Sequence, residues 1–88
     1  DGSAGGGKVM KVEVRVQLKA GVLDPQGEAI RRVLGRLGYA EVSSVRVGKL
    51  ILLEVEGEDH ERVRARVEEA CRELLANPII EDFEVRLL

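Results

Sequence analysis

Apolar and polar residues follow two different periods along the first half of the chain. From Met10 to Leu18 every second residue is apolar, which predicts a β-strand with one buried and one polar face. Apolar residues then recur at helical spacing from Pro25 to Leu37, and Gly38 follows where a left-handed cap would end a helix. The buried stripe of this helix is expected to hold Ile30, Val33, Leu34 and Leu37.

The middle of the chain, VSSVRVGKLILLEVEG at residues 42–57, is rich in β-branched residues and is interrupted by Gly48 and Lys49. This pattern predicts either a hairpin that turns at the Gly-Lys pair or one long strand that bends there at a bulge. The hairpin is preferred, because the polar residues 56–58 that follow Val55 offer a natural exit to another helix.

A second helix is predicted to begin near Asp59, which is a good N-cap residue. It must stop before Pro78, since the residue preceding a proline is pushed out of helical geometry, and Asn77 can take the left-handed cap conformation. The apolar stripe of this helix is Val63, Val67, Ala70, Cys71, Leu74 and Leu75. The last segment, IIEDFEVRLL, alternates again and predicts a final strand.

The predicted order is β-α-β-β-α-β, which matches the ferredoxin-like α+β plait, an antiparallel sheet with two helices on one face. The chain of 88 residues suits one domain over residues 10–88 with a small core. Residues 1–9, most of them in the stretch DGSAGGGK, are expected to be an artificial leader or a disordered tail.

One segment departs from the half-polar rule of such a sheet. Leu50 and Leu52 would point away from the face that Ile51, Leu53 and Val55 present to the helices. If the open face were exposed to water, each leucine would lose roughly 1.5 to 3 kcal/mol of the stabilisation that full burial gives. We therefore expect that face or its edge to serve for oligomerisation, the alternative being two tolerated surface leucines.

Composition and charge narrow the function classes. A net charge of −2 gives no long-range attraction to nucleic acid or to an anionic membrane, and neither partner is expected. Only Tyr39 and Phe83 are aromatic, whereas RNA-binding plaits stack bases on aromatic residues of their central strands. One cysteine and no membrane-spanning or signal-like apolar run make a cytoplasmic protein the simplest expectation.

Residues that carry chemistry are few and scattered. Eleven residues of helix, roughly 16 Å, separate His60 from Cys71, so a nucleophilic Cys-His pair is not expected. No Cys, His and carboxylate spacing indicates a metal site. Gly48-Lys49 lacks the upstream glycine and the downstream Ser or Thr of a phosphate loop. We expect no catalytic residues and no metal ligands.

Four short motifs remain at the junctions of the predicted elements. They are GVLDPQG at Gly21–Gly27, LGY at Leu37–Tyr39, VRVGK at Val45–Lys49 and LLANPIIE at Leu74–Glu81. In this order and spacing they resemble the PurS family, the small subunits of bacterial and archaeal phosphoribosylformylglycinamidine (FGAM) synthase. The resemblance extends from Met10 to Leu88.

The resemblance implies a non-catalytic assembly subunit in the fourth step of purine synthesis. In that reaction a glutaminase subunit releases ammonia and a synthetase subunit, which uses ATP and magnesium, consumes it; the small subunit binds no cofactor of its own. It also implies a homodimer or a dimer of dimers. The positions it suggests as partner-facing or turn-fixing are Asp24, Gln26, Arg46, Lys49, Asn77 and Glu81. Of these, Asp24 is also expected to cap the first helix, and an arginine fork at Arg46 suits a carboxylate or phosphate on a partner.

Two other interpretations stay open at this point. A plait of this size can be a regulatory domain that binds a small metabolite at its dimer interface. The chain can also be an engineered scaffold that self-assembles on this backbone. Mixing with the glutaminase and synthetase subunits separates both alternatives from the assembly subunit.

Overall fold

The structure, a computed structural model, describes residues 8–88, so nearly all of the predicted leader lies outside the described residues. Strand β1 begins at Val9, one residue before the predicted start. The elements are β1 (Val9–Leu18), α1 (Pro25–Arg36), β2 (Gly48–Glu56), α2 (His60–Ala70), a π-helical turn (Cys71–Leu75) that continues α2, and β3 (Glu81–Leu87).

The three strands form one antiparallel sheet in the order β2-β1-β3. Within β1, Val12 pairs with Leu53 of β2 on one side and Leu87 of β3 on the other. Val14 pairs in the same way with Ile51 and Val85. The alternating apolar residues of the three strands therefore share one face of the sheet, as the sequence predicts.

The core lies between that face and α2. Val12, Val14 and Val16 of the central strand are fully buried, and α2 contributes Val63 and Val67. The Arg64 guanidinium donates a hydrogen bond of 2.9 Å to the Val85 carbonyl of β3, so α2 lies close to that strand. As predicted, Asp59 caps α2 by accepting hydrogen bonds from the main-chain N–H groups of its first turn.

The α+β class is confirmed, and three strands with two helices agree with a ferredoxin-like plait. The preferred hairpin at Gly48-Lys49 is wrong: β2 runs unbroken from Gly48, and residues 42–47 form no strand, so the fourth predicted strand is missing. The reason is local. The Val47 N–H, which a strand would use in its ladder, donates instead to the Asp24 carboxylate at 2.8 Å.

Helix α1 forms where the periodicity predicts it, with Asp24 as N-cap and Gly38, at φ 104°, just after its end. Its apolar stripe, however, is not buried within a single chain. Ile30, Val33 and Leu37 are 39%, 48% and 67% exposed, and the only buried residue of the helix is Gly27. The Cα radius of gyration is 17.3 Å, whereas a compact chain of this length has about 12 Å. Helix α1 and the segment that returns from it, residues 25–45, thus project from the sheet, and we call them the arm.

The end of α2 is set by its last turn. The N–H of Ala76 donates to the Cys71 carbonyl at 2.9 Å, which closes the π-helical turn, and Ala76 itself is extended. The helix therefore stops before Pro78 as predicted. Asn77 does not take the left-handed conformation, since among the described residues only glycines have positive φ.

Candidate functional site

Three of the four sequence motifs meet at one end of the sheet, where β1 ends and β2 and β3 begin, whereas Leu37–Tyr39 lies at the far end of α1 in the arm. The loop after β1, the segment before β2 and the turn before β3 lie next to one another there. The Lys19 N–H donates to the Ile80 carbonyl at 2.8 Å, and this bond joins the loop after β1 to the turn before β3. Clusters that are far apart in sequence thus form a single surface.

Asp24 joins the two ends of the arm. One carboxylate oxygen accepts the Gly27 N–H at 2.9 Å, which caps α1, and the other accepts the Val47 N–H at 2.8 Å. The Val47 and Gly27 N–H groups and the nearby Arg46 guanidinium hold the pKa of this nearly buried carboxyl below its ordinary value of 3.8, against the opposing effect of burial. The carboxylate therefore caps α1 and also holds the start of the helix against the segment that returns to the sheet.

Gly27 allows the two ends of the arm to touch. A Cβ at this position would lie 2.2 Å from the Val45 carbonyl oxygen and 2.9 Å from the Asp24 carboxylate, so no side chain fits. The glycine of the DPQG motif is thus required by close packing, although glycine is otherwise a poor residue for a first helical turn.

Arg46 completes the joint from the other side. Its guanidinium donates to the Val22 carbonyl at 2.8 Å and to the Lys19 carbonyl at 3.0 Å. The arginine fork therefore binds the main chain of the loop after β1. Its predicted contact with a carboxylate or phosphate of a partner stays a prediction. We call this joint the clasp: it consists of Asp24, Gly27, Arg46 and Val47, together with the Val22 and Lys19 carbonyls that Arg46 binds.

Three other predicted positions line one cleft beside the clasp. Gln26, Lys49 and Glu81 surround an open cavity of about 220 Å³ whose floor is formed by Val16 and Leu18. The Lys49 ammonium is 3.4 Å from the Leu75 carbonyl oxygen at the end of the π-helical turn, a long hydrogen bond. The cleft therefore presents a cationic, an amide and a carboxylate group together.

Asn77 shapes the turn next to this cleft. Its side-chain oxygen accepts the Ile79 N–H at 3.1 Å, its carbonyl accepts the Glu81 N–H at 2.7 Å, and its own N–H donates to the Glu81 carboxylate at 2.7 Å. The pair thus fixes the turn before β3. A contact of either residue with a partner stays a prediction.

Three apolar side chains of the motifs at this end expose most of their surface: Leu23, Leu74 and Ile79. Leu74 is predicted on the buried stripe of the second helix but is 83% exposed, and Ala70 of that stripe is exposed as well, so the prediction is wrong for these two residues. Leu23 and Ile79 are not singled out by sequence reasoning, although each lies inside a motif and outside any helix or strand. The end of the sheet is thus polar in its cleft and apolar around it.

Leu50 and Leu52 point to the open face of the sheet, as predicted, and are 59% and 66% exposed. They lie opposite Arg15 and Glu13 of β1, so apolar and charged residues share this face. Their role in oligomerisation stays a prediction.

Reactive groups do not gather at this end. Within residues 8–88 no three His, Cys, Asp or Glu side chains are placed to hold a metal ion. Cys71 is buried in the core, where loss of solvation raises the pKa of its thiol. Across the same range, no helix is long and apolar enough to cross a membrane. The clasp bonds run to main-chain groups, so its arrangement is that of a structural joint.

The Asp24 carboxylate makes a pH-dependent contribution to stability. Because its pKa is lowered on folding, the contribution is complete above the ordinary value of 3.8 and is lost as pH falls through the folded-state pKa. We expect Asp24→Asn to melt below the wild type at pH 7, and the gap to narrow as the pH falls below 3.8. Thermal melts across this range measure it, with Glu41→Gln in the exposed turn of the arm as the control. A gap that stayed constant with pH would contradict the assignment.

Comparison with known proteins identifies relatives along nearly the whole chain. The family model described as PurS, phosphoribosylformylglycinamidine (FGAM) synthase, matches residues 11–88. The PurS subunit of Methanocaldococcus jannaschii is 46% identical over 77 residues, which are 88% of this chain and 93% of that protein. A chain in the structure of PurLQS from Thermotoga maritima is 44% identical with a TM-score of 0.84, covering 92% of this chain and 99% of that one. The crystal structure of M. jannaschii PurS is 42% identical with a TM-score of 0.80, covering 90% and 95%.

Proposed function

The chain belongs to the PurS family of FGAM synthase subunits in purine biosynthesis, and we propose that it is a non-catalytic assembly subunit. In this role it bridges the glutaminase and the ATP-dependent synthetase subunits and supports the transfer of ammonia between them. The observation that carries the proposal is the convergence of three of the four family motifs at one end of the sheet, where they form a joint and a polar cleft. ATP and magnesium belong to the synthetase partner, and this subunit binds neither.

The cleft is the proposed contact point for a larger subunit. Gln26, Lys49 and Glu81 come from three separate segments, and all three line the same cavity. A primary ammonium and a carboxylate side by side can pair with opposite charges on a partner and so set the register of docking. The exposed leucines and isoleucine around the clasp supply apolar area next to these charges.

Self-association is proposed to occur through the arm. Helix α1, about 18 Å long, exposes an apolar stripe. The inward residues of β2, which are Ile51, Leu53 and Val55, are only half-buried, because α2 lies towards β3. A cavity of about 540 Å³ opens between Val55 and Val63. We propose that α1 of a second copy covers this uncovered half of the sheet, and that α1 of the first copy covers the same half of the second copy's sheet.

The charges of α1 and of the cavity favour α1 of a second copy as the occupant. Helix α1 carries three arginines and one glutamate, a net charge of +2. The cavity is bordered by Glu56, Glu58 and Asp59, with Arg62 and Arg66 on its α2 side. A reciprocal contact of this kind has two-fold symmetry and closes on itself, so it produces a dimer rather than a fibre. Leu50 and Leu52 are left on the open face for a contact between two such dimers.

The test of the assembly role is reconstitution. Mixed with PurS-free glutaminase and synthetase subunits in the presence of ATP, magnesium and glutamine, the chain is expected to form a larger particle and to restore glutamine-dependent activity. Lys49→Glu is expected to weaken both, whereas Lys8→Glu, exposed just before β1 at the other end of the sheet, should not.

Reconstitution, thermal shifts and the self-association of the isolated chain together separate the assembly role from the two alternatives. If no complex forms under these conditions, the assembly role is wrong. A thermal shift of the isolated chain with nucleotides or amino acids would favour a metabolite-binding regulator instead. Self-association without reconstitution would favour a scaffold that only borrows this fold.

A further inference from the structure

We propose that the clasp decides where helix α1 packs: it holds the arm away from the chain's own sheet, so that α1 is available only to a second copy. This inference rests on the proposed self-association and adds the feature that directs α1 to a second copy. The apolar surfaces of helix and sheet that become buried would be the same in either arrangement. What differs is the geometry of the two segments that connect the arm to the sheet.

The competing arrangement is a closed monomer. If α1 folded back over the half-buried residues of its own β2, the same apolar surface would be buried without the loss of translational and rotational freedom that association costs. An intramolecular contact also has the advantage of a high effective concentration. A chain with flexible connections would therefore favour the closed monomer, and some feature of the structure must oppose it.

The clasp is placed to oppose it. The arm leaves the sheet through the loop after β1 and returns through residues 46 and 47. Asp24 and Arg46 bond these two connections side by side, by the contacts with Val47 and with the Val22 and Lys19 carbonyls. The contact of Gly27 with Val45 extends this joint into the first turn of α1. These bonds fix the direction in which α1 leaves the sheet.

Beyond the clasp little holds the arm to the body of the chain. Only the first turn of α1 includes a buried residue, and the described chain extends to 53 Å along its long axis. The restraint is confined to the base of the arm, so its removal is expected to change the direction of α1. Asp24 also caps α1, whereas Arg46 bonds only the loop after β1. A change at Arg46 alone therefore separates the direction of the arm from helix formation.

The test compares the wild type with Asp24→Ala/Arg46→Ala by sedimentation and small-angle scattering over a dilution series. The wild type is expected to be an elongated reciprocal dimer. The double variant is expected to raise the dimer dissociation constant at least about tenfold and to release compact monomers with a radius of gyration near 12 Å. Arg72→Ala, an exposed arginine outside the clasp, is the matched control and should behave as the wild type.

A second measurement keeps the proposal testable if the double variant folds poorly. Arg46→Lys retains the positive charge but loses the fork that binds two carbonyls. The substitutions Arg36→Cys and Glu54→Cys in a Cys71→Ala background allow spin labels on the arm and on the sheet. Diluted with unlabelled chain, these labels report the distance from arm to sheet within one copy. We expect this distance to shorten in Arg46→Lys.

The outcomes are distinguishable. Unchanged distance and unchanged dissociation constant in both variants would overturn the role of the clasp. A wild type that stays monomeric at all concentrations would overturn the proposed self-association, whereas the intrachain distance would still test the clasp. Failure of reconstitution with the larger subunits would bear on the assembly role alone.

Discussion

Replacing Val33 with glutamate is expected to leave the single chain folded and to break its self-association. Val33 lies in the middle of the apolar stripe of α1 and is already 48% exposed in one chain, so the isolated fold tolerates a charge there. In the proposed dimer the same carboxylate would be buried against an apolar sheet without a partner. We expect the dimer dissociation constant to rise about 100-fold, the usual size of a central interface effect.

Sedimentation equilibrium and circular dichroism together measure this expectation. The matched control is Leu74→Glu, which makes the same change at a side chain that is more exposed and outside the arm. If Val33→Glu kept the mass of the wild type, α1 would not be the contact. If it lost helical signal at high dilution, the exposed stripe would already be needed within one chain. The companion variant Leu50→Lys/Leu52→Lys is expected to reduce a dimer of dimers to dimers.

Replacing Gly27 with alanine is expected to cause a large loss of stability. The added Cβ would lie 2.2 Å from the Val45 carbonyl oxygen, a main-chain atom, so the two ends of the arm must separate. That separation also breaks the Val47 bond to Asp24. We expect the melting temperature to fall by roughly 15 °C, since large losses of this kind follow from overpacking against rigid atoms and small domains lose several degrees per kcal/mol.

The same helix contains a matched control for this substitution. Outside its own helix, Gly35 has no heavy atom within 4 Å of where an added Cβ would lie, so Gly35→Ala meets open space in the single chain. Alanine there should stabilise the helix by up to about 1 kcal/mol and raise the melting temperature. Thermal melts of both variants test the pair. Equal effects of the two substitutions would show that helix propensity, and not the contact with Val45, governs position 27.

The elements of the fold were largely predictable because their signals are local. The alternation of β1 and the final strand, the helical spacing around Ile30 and the N-caps Asp24 and Asp59 all depend on residues within one turn or one strand. The segment at residues 42–47 was not predictable in this way. Its β-branched residues favour a strand, but a carboxylate more than twenty residues away takes the N–H that a strand would need.

The sequence by itself therefore determined the periods and the N-caps, and through four motifs it identified the family. Only the tertiary structure decided that Gln26, Lys49 and Glu81 share a cleft, that Asp24 and Arg46 bond the two ends of the arm, and that the apolar stripe of α1 faces outward. The physical reason is how far apart along the chain the interacting residues lie. Periods and caps arise between neighbours in the chain, whereas a cleft, a clasp and an uncovered helix arise from which distant segments the sheet brings together.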